Sequence, residues 1–484
     1  MRLKGKLNLI GKALILEGIT FSLPLITACI YSEPLLPFVW TIICVLLSGI
    51  LLYRLFPERK NGLLPEDAYS AVVYIWLALS AFGALPFILS GAIPSPVDAF
   101  FESVSGFTTT GASILSDVEG LGHGVLIWRS FTHFIGGMGV LVLIMALSGK
   151  TQDKNIYILR AEMPGPTVDK IMPKISTMAR FLYLIYMTMT LAEILILFAG
   201  GTPLFDSIVL SFGTAGTGGF GIKNDSIASY NAFSQWVICI FMLLFGVNFN
   251  LYFALFQRKI KEVLRSNELK AYLAIAVFTT LAITFILLFG SRGEGEGFSE
   301  LLRHSAFQVA SILTTTGYST RDFDAWLPLA KALLFMLMFI GGCAGSTAGG
   351  LKVSRLVVLL HTQLNSARTN LHPRNIYAVQ LNGRNVDEAG VRNIHSYFSL
   401  YVFCTLLTFV LISFEPFGLE SNLSAAVACI NNVGPGFAAF GPASNYAAYS
   451  DFSKIVLSLA MLAGRLEFYP FLILLLSGLH HNKK

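Results

Sequence analysis

The chain has 484 residues, 54% of them hydrophobic and only 13% charged, with a mean hydropathy of +0.67. So little polar surface excludes a water-soluble domain of this length and indicates a polytopic membrane protein. The formal net charge of +6 sits mostly in loops between apolar runs, so it gives no reason to expect a nucleic-acid partner.

The N-terminal stretch MRLKGKLNLIGKALILEG is basic and then apolar. No small-residue cleavage site follows it, so it reads as a retained first span and not as a signal peptide. Two spans are expected near residues 10 to 31 and 35 to 55, within a leading segment 1–66. After them one rhythm recurs four times: a long apolar run, a short run ending in a Gly-rich polar stretch, and a second long run. The first runs lie near 68 to 92, 179 to 200, 270 to 290 and 394 to 414, and the second near 125 to 148, 233 to 256, 329 to 350 and 452 to 478. The predicted architecture is all-α: two leading transmembrane helices plus four pseudo-repeats of helix, re-entrant pore helix and helix around one pore, ten spans in all. The repeats divide as 67–150, 151–266, 267–368 (which carries a Gly-rich gating loop) and 369–484.

The short segments end in TTTGA (Thr108 to Ala112), AGTGG (Ala215 to Gly219), TTTGY (Thr314 to Tyr318) and NNVGP (Asn431 to Pro435). Their central glycines are read as Gly111, Gly218, Gly317 and Gly434, spaced 107, 99 and 117 residues apart, which is a domain-scale duplication. Each short segment holds about a dozen helical residues, enough to reach mid-membrane at 1.5 Å per residue but not to cross it. Helix starts are expected at Ser95 and Pro96, Thr202 and Pro203, Ser299 and Glu300, and Glu420 and Ser421.

A half-helix that stops at mid-depth leaves the following backbone without partners. Such backbone is tolerated only where protein buries it or where it lines a watery cavity. Four such stretches converging on one axis would offer carbonyl oxygens to a dehydrated cation, with the negative helix C-termini aimed at the same point. Glycine permits the positive φ that such a turn needs. Threonine adds a hydroxyl and packs well in extended backbone. The expected ion-binding residues are Thr110, Gly111, Ala112, Thr217, Gly218, Gly219, Thr315, Thr316, Gly317, Asn432, Val433 and Gly434.

Connections between repeats carry Lys150, Lys154, Arg160, Lys170 and Lys174, then Arg258, Lys259, Lys261 and Arg265, then Lys352, Arg355, Arg368, Arg374, Arg384 and Arg392. The stretches beside the short segments are mixed or acidic, with Asp98, Asp117, Asp206, Glu300 and Asp322. The positive-inside rule places the basic loops and both termini in the cytoplasm.

This architecture, with its four Gly-centred stretches, resembles the Trk/Ktr/HKT superfamily of potassium-transporting membrane proteins over essentially the whole chain. The two leading spans and the length are most similar to its bacterial TrkH branch. The resemblance implies potassium uptake across the bacterial inner membrane, K⁺ as the transported ion with no organic cofactor on this chain, a homodimer, and a cytoplasmic TrkA-type nucleotide-binding partner. It also implies that glycine at Gly111 goes with potassium passage. The fourth stretch departs from the Thr-rich form at Asn432, Val433 and Pro435.

In repeat three, GGCAGSTAGG spans Gly341 to Gly350. The four-residue spacing of Gly341, Gly345 and Gly349 suits close helix packing, whereas paired glycines beside Ser346 and Thr347 disfavour helix. The resemblance implies an intramembrane gating loop here, built from Gly341, Gly342, Gly345, Ser346, Thr347, Gly349 and Gly350. It implies further that Arg465, within AGRLEFYP, holds that loop shut or repels cations; an interfacial Arg snorkelling to water is the alternative. Glu193, mid-span in repeat two, reads as structural, and His133 as a satisfied helix contact. The six cysteines lie in apolar runs without a CxxC pair and read as packing residues. No catalytic motif such as HExxH or GxSxG occurs, so an enzyme is rejected. The competing transport reading is a symporter coupled to Na⁺ or H⁺, which calls for inverted repeats and a mid-depth carboxylate; here the repeats run the same way and the four stretches carry no carboxylate.

Overall fold

The four short apolar segments fold as helices with matching start and stop chemistry. The computed structural model describes residues 3–56, 65–139, 175–290, 297–375 and 377–481. Numbered in chain order, the helices begin with α1 (Leu3–Thr20), α2 (Ser22–Ile30), α3 (Leu36–Leu55), α4 (Pro65–Gly83), α5 (Leu85–Leu89), α6 (Pro96–Phe107), α7 (His123–Met138), α8 (Ile175–Ala199), α9 (Leu204–Gly216), α10 (Ala232–Phe245) and α11 (Phe249–Phe256). They continue with α12 (Ile260–Arg265), α13 (Asn267–Gly290), α14 (Phe298–Leu313), α15 (Pro328–Met338), α16 (Val353–Leu371), α17 (Glu388–Ile412), α18 (Leu419–Ile430), α19 (Asp451–Arg465) and α20 (Tyr469–His481). One hairpin, β1 (Gln380–Leu381) with β2 (Arg384–Asn385), joins α16 to α17.

The short helices are α6, α9, α14 and α18. Each carries an acid in its first turn, Asp98, Asp206, Glu300 and Glu420 respectively, where the positive end of the helix dipole favours it. In α6 the expected start holds: Ser95 caps the helix by accepting from the Asp98 N–H at 3.3 Å, with Pro96 at the first helical position. The other three starts differ from expectation. Their caps are Pro203, Gly297 and Gly418, and in α14 the helix opens before the Ser299 hydroxyl could cap it.

Among the described residues, six helices are long and apolar enough to cross a membrane: Lys4–Ile30, Leu36–Leu55, Asp67–Leu89, Thr177–Ala199, Asn267–Gly290 and Glu388–Ile412. Their outward faces are apolar, with Leu191 56%, Leu195 58%, Phe278 73% and Phe289 82% exposed, which suits hydrocarbon and not water. Of the second runs, the third was expected to break at Gly341 to Gly350; among the described residues all four are interrupted. The chain bends 89° between α10 and α11 and 110° between α19 and α20, giving up to eight spans if each bent pair counts as one. After α7 the helix stops at Gly139, φ +83°, and residues 140–174 lie outside the described set. After α15 the backbone is irregular from 339 to 352 before α16 begins. Among the described residues the molecule is therefore a helical, polytopic membrane protein whose helices interrupt at one level.

That level is set by close helix packing. A side chain at Gly136 of α7 would meet the Phe107 carbonyl oxygen at 1.9 Å, and one at Gly464 of α19 would meet the Ile430 carbonyl oxygen at 1.9 Å. Phe107 and Ile430 are the last residues of α6 and α18. Only glycine lets the second helix touch the end of the short helix at these two points.

Candidate functional site

The four short helices end alike. In each, one residue beyond the C-cap region takes a left-handed conformation: Thr109 (φ 56°), Thr217 (φ 55°), Thr315 (φ 55°) and Asn432 (φ 55°). The next residue donates its N–H five positions back in the same way, Thr110 to Ser105, Gly218 to Gly213, Thr316 to Ser311 and Val433 to Ala428, at 2.9, 2.9, 2.8 and 2.8 Å. This Schellman closure satisfies the helix end locally and turns the chain away from the helix axis. One residue later comes a left-handed glycine: Gly111 (φ +79°), Gly219 (φ +80°), Gly317 (φ +87°) and Gly434 (φ +98°).

The second stretch thus corrects the sequence register. Its equivalent of Gly111 is Gly219, because Thr217 takes the left-handed cap and Gly218 the donor position behind it. Two adjacent glycines gave the sequence no means of choosing between them.

The four glycines meet head to tail. A side chain at Gly111 would lie 2.0 Å from the Gly218 carbonyl oxygen, and one at Gly219 would lie 2.0 Å from that of Thr316. At Gly317 the contact is the Val433 oxygen at 2.4 Å, and at Gly434 it is the Thr110 oxygen at 2.6 Å. Each stretch therefore presents to its neighbour the carbonyl preceding its own glycine, and the fourth returns to the first. All four glycines line one cavity of about 130 Å³, together with Ala112, Lys223, Asn224 and Tyr446 among others.

Threonine hydroxyls in the ring are bonded within the protein, except that of Thr109, which is buried without a partner. Thr108 Oγ1 contacts Thr110 Oγ1, and Thr314 Oγ1 contacts Thr316 Oγ1, both at 2.8 Å. Thr217 Oγ1 donates to the Gly216 carbonyl at 2.6 Å. In the fourth stretch the Asn432 amide donates to Thr110 Oγ1 at 2.9 Å and to the Met461 carbonyl at 3.0 Å, so the residue that departs from the threonine pattern ties the ring shut. Val433 is fully buried.

A rigid collar surrounds the ring. Glu102 of α6 and Arg129 of α7, 0% and 2% exposed, pair at 2.7 Å. Glu102 also accepts from the Ser113 hydroxyl at 3.0 Å and the Ile114 N–H at 3.0 Å, while Arg129 donates to the Gly221 carbonyl at 3.2 Å and lies over the Phe220 ring at 4.1 Å. One buried ion pair thereby fixes the outer ends of the first two stretches. The Tyr318 hydroxyl, on the third stretch, reaches the Leu210 carbonyl at 3.2 Å and the Phe220 carbonyl at 3.3 Å on the second, and the Tyr446 hydroxyl donates to the Gly434 carbonyl at 2.8 Å. His133 spans α6 and the second stretch: its Nε2 accepts from the Phe220 N–H at 3.3 Å, so Nδ1 carries the proton and donates to the Gly106 carbonyl at 2.7 Å. It is a fully buried bracket between helices. Glu193, fully buried on α8, lies beside Thr214 of α9.

Below the ring lies the Gly-rich segment, and it is not helical. Gly341, Gly345 and Gly350 adopt φ of +77°, +71° and +76°, which excludes a regular GxxxG helix face. Gly342 fits against Ala348 and the Gly246 carbonyl oxygen. The Gly349 N–H donates to Thr315 Oγ1 at 2.6 Å, and a side chain there would meet the Asn431 carbonyl oxygen at 2.3 Å. The loop therefore seats directly against the third and fourth stretches. Ser346 Oγ closes a turn on the Cys343 carbonyl at 2.6 Å, and Thr347 Oγ1 reaches the Phe245 carbonyl at 3.3 Å. Arg465 donates to the Thr347 carbonyl at 2.8 Å and to the Gly136 and Gly137 carbonyls at 2.6 and 2.7 Å.

Glu102, Arg129 and Asn432 Nδ2 were missed as binding partners by sequence reasoning. Glu102 looked like one more acid near the outer loops, and only its position on the buried face of a short amphipathic helix hints otherwise.

Comparison with known proteins agrees with this geometry. The TrkH family model, described as a cation transport protein, matches residues 37–292 and 298–482. The chain is 33% identical over 479 residues to a Trk system potassium uptake protein TrkH of Salmonella typhimurium, covering 98% of each. It is 32% identical over 461 residues to a Trk system potassium uptake protein TrkG of Escherichia coli, covering 93% of each. The crystal structure of the potassium transporter TrkH from Vibrio parahaemolyticus superposes with a TM-score of 0.88 at 30% identity, covering 98% of this chain and 99% of that one. Proteins of this kind move ions and are not enzymes, and the chain belongs to the TrkH family of cation transport proteins.

Proposed function

We propose that the protein takes up potassium into a bacterial cell through a single gated pore whose selectivity filter is the ring of carbonyl oxygens from the four short stretches. The observation that carries the reading is the closed head-to-tail order of Gly111, Gly219, Gly317 and Gly434. Such an order needs one common axis, and an axis lined by main-chain carbonyls suits a dehydrated alkali cation. The relatives named above are potassium uptake proteins, which supports K⁺ as the ion. In this reading the chain makes ten crossings in four repeats with the boundaries given above, lies in the inner membrane and keeps both termini in the cytoplasm. The segment Gly341 to Gly350 is the gate, held by Arg465. A homodimer and a TrkA-type nucleotide-binding regulator belong to the same reading. A membrane potential of 100 mV supplies about 2.3 kcal/mol per inward cation, so accumulation needs no coupled ion.

Purified protein in liposomes provides the test. Flux of ⁸⁶Rb⁺ driven by a potential, with no gradient of Na⁺ or H⁺, is the expected result. Strict dependence on such a gradient would favour the symporter instead.

A further inference from the structure

We propose that the β1–β2 hairpin is a clamp on the gate loop, acting through Asn382 and Glu268 as positioning residues. The inference rests on reading Gly341 to Gly350 as the gate, and it concerns what holds that loop in place from outside the membrane core.

The hairpin turn is Asn382-Gly383, with φ of +53° and +75°. Two left-handed residues in a two-residue connection make the type I′ turn that suits a tight hairpin. Gln380 pairs with Asn385 and Leu381 with Arg384. The turn does more than reverse the chain. Asn382 Oδ1 accepts from the Asn267 N–H at 2.8 Å and the Glu268 N–H at 3.4 Å, and it lies 3.4 Å from the Ser266 hydroxyl. Ser266 caps α13 by accepting from the Leu269 N–H at 3.3 Å, and the exposed amide of a loop 115 residues downstream adds a second acceptor for the first donors that the helix start leaves open.

The residue so fixed is the one that grips the gate. Glu268 is 3% exposed, and its Oε1 accepts from the Ala344 N–H at 2.6 Å. Ala344 sits in the middle of the loop, between the Cys343 N–H, which donates to the Gly246 carbonyl at 2.9 Å, and the Gly345 carbonyl, which accepts from the Phe249 N–H at 3.0 Å. A charged acceptor on a backbone donor is among the stronger hydrogen bonds.

The hairpin also holds the other end of the loop. His361 Nδ1 meets the Gln380 carbonyl at 3.2 Å, and the Asn365 amide donates to the Ala378 carbonyl at 3.4 Å. Both residues lie on α16, the helix into which the loop runs through Lys352. Lys352 is buried and left-handed at φ +77°, a conformation that a lysine adopts only under constraint. Its ammonium group donates to the Ala348 carbonyl, and its N–H donates to the Ile340 carbonyl at 2.8 Å. One exposed hairpin therefore touches the two helices that bracket the loop, α13 through Asn382 and α16 through Gln380 and Ala378. Displacing it would release the Glu268 contact and the strained Lys352 turn together.

Cys343 gives a native probe, since it lies in the loop and is fully buried. In a background with Cys29, Cys44, Cys239, Cys404 and Cys429 replaced, the rate of Cys343 modification by a methanethiosulfonate reagent reports loop opening in purified full-length protein. Asn382→Gly keeps the left-handed turn and removes the acceptor; Asn382→Asp keeps the acceptor. Asn382→Gly and Glu268→Ala are each expected to raise the labelling rate about tenfold, the factor that loss of a hydrogen bond of ordinary strength produces. Asn382→Asp and Glu268→Gln are expected to stay near the native rate, with thermal midpoints alike across the set. Native labelling in either Asn382→Gly or Glu268→Ala overturns the clamp, whatever the liposome flux shows. Raised labelling without raised ⁸⁶Rb⁺ flux upholds the clamp and refutes the gate.

Discussion

Arg465 donates one guanidinium nitrogen to the Thr347 carbonyl at 2.8 Å and the other to Gly136 and Gly137 at 2.6 and 2.7 Å. Helix α19 thus ties the loop between α15 and α16 to the end of α7. Arg465→Gln removes the charge and the forked reach, so partner-free ⁸⁶Rb⁺ flux should rise by an order of magnitude. Arg465→Lys should behave nearly as badly, because a single ammonium group cannot serve two directions at once. Equal flux in Gln and native proteins would remove Arg465 from the gate.

The register of the second stretch yields a double-mutant test. Gly219→Ala puts a methyl group 2.0 Å from the Thr316 carbonyl at φ +80°, and flux should fall at least a hundredfold whatever stands at position 133. Gly218→Ala meets the His133 ring first, at 2.3 Å, so His133→Ala in the same chain should restore part of the lost flux. Rescue of Gly219→Ala by His133→Ala would reverse this assignment.

Gly317→Ser should weaken discrimination against Na⁺, since φ +87° and the Val433 carbonyl at 2.4 Å leave no room for a side chain without moving a ring oxygen. The measurement is the ratio of ⁸⁶Rb⁺ to ²²Na⁺ flux, which should fall several-fold. Tyr318→Phe loses the hydroxyl between the second and third stretches and should lower the same ratio with a stability loss of about 1 kcal/mol.

Breaking the buried pair should cost far more than exchanging it. Arg129→Met leaves the Glu102 carboxylate without its partner and should destabilise the protein by about 3–5 kcal/mol, read as a large drop in thermal midpoint in detergent. Adding Glu102→Leu should recover much of that loss, although the bonds to Ser113 and Ile114 go with it. A double variant no more stable than the single would show that those bonds matter more than the charge.

Much of this was legible in the residues because lipid imposes a simple rule: short apolar runs ending in glycine have few places to go. The four turns and the irregular backbone at Gly341 to Gly350 followed from length, apolar pattern and helix-breaking residues, whereas the role expected of Arg465 came from family resemblance. The register of Gly218 and Gly219 did not, because it depends on which residue takes the left-handed cap. The breaks after α7 and α10 were also missed: in FGVNF, Phe245 to Phe249, Gly246 ends one helix and Asn248 caps the next, but these signals do not set the 89° between them. Contacts between distant segments, such as Glu102 with Arg129 or Asn382 with Asn267, are fixed by packing that no local pattern encodes.

Because the four turns lie on one polypeptide, they are free to differ. A homotetramer multiplies every substitution by four; here a codon change alters a quarter of the circle. The arrangement is accordingly lopsided: the Gly-rich loop seats against two of the turns through Gly349, is bonded by Arg465 from another helix, and meets a carboxylate from outside the ring at Ala344.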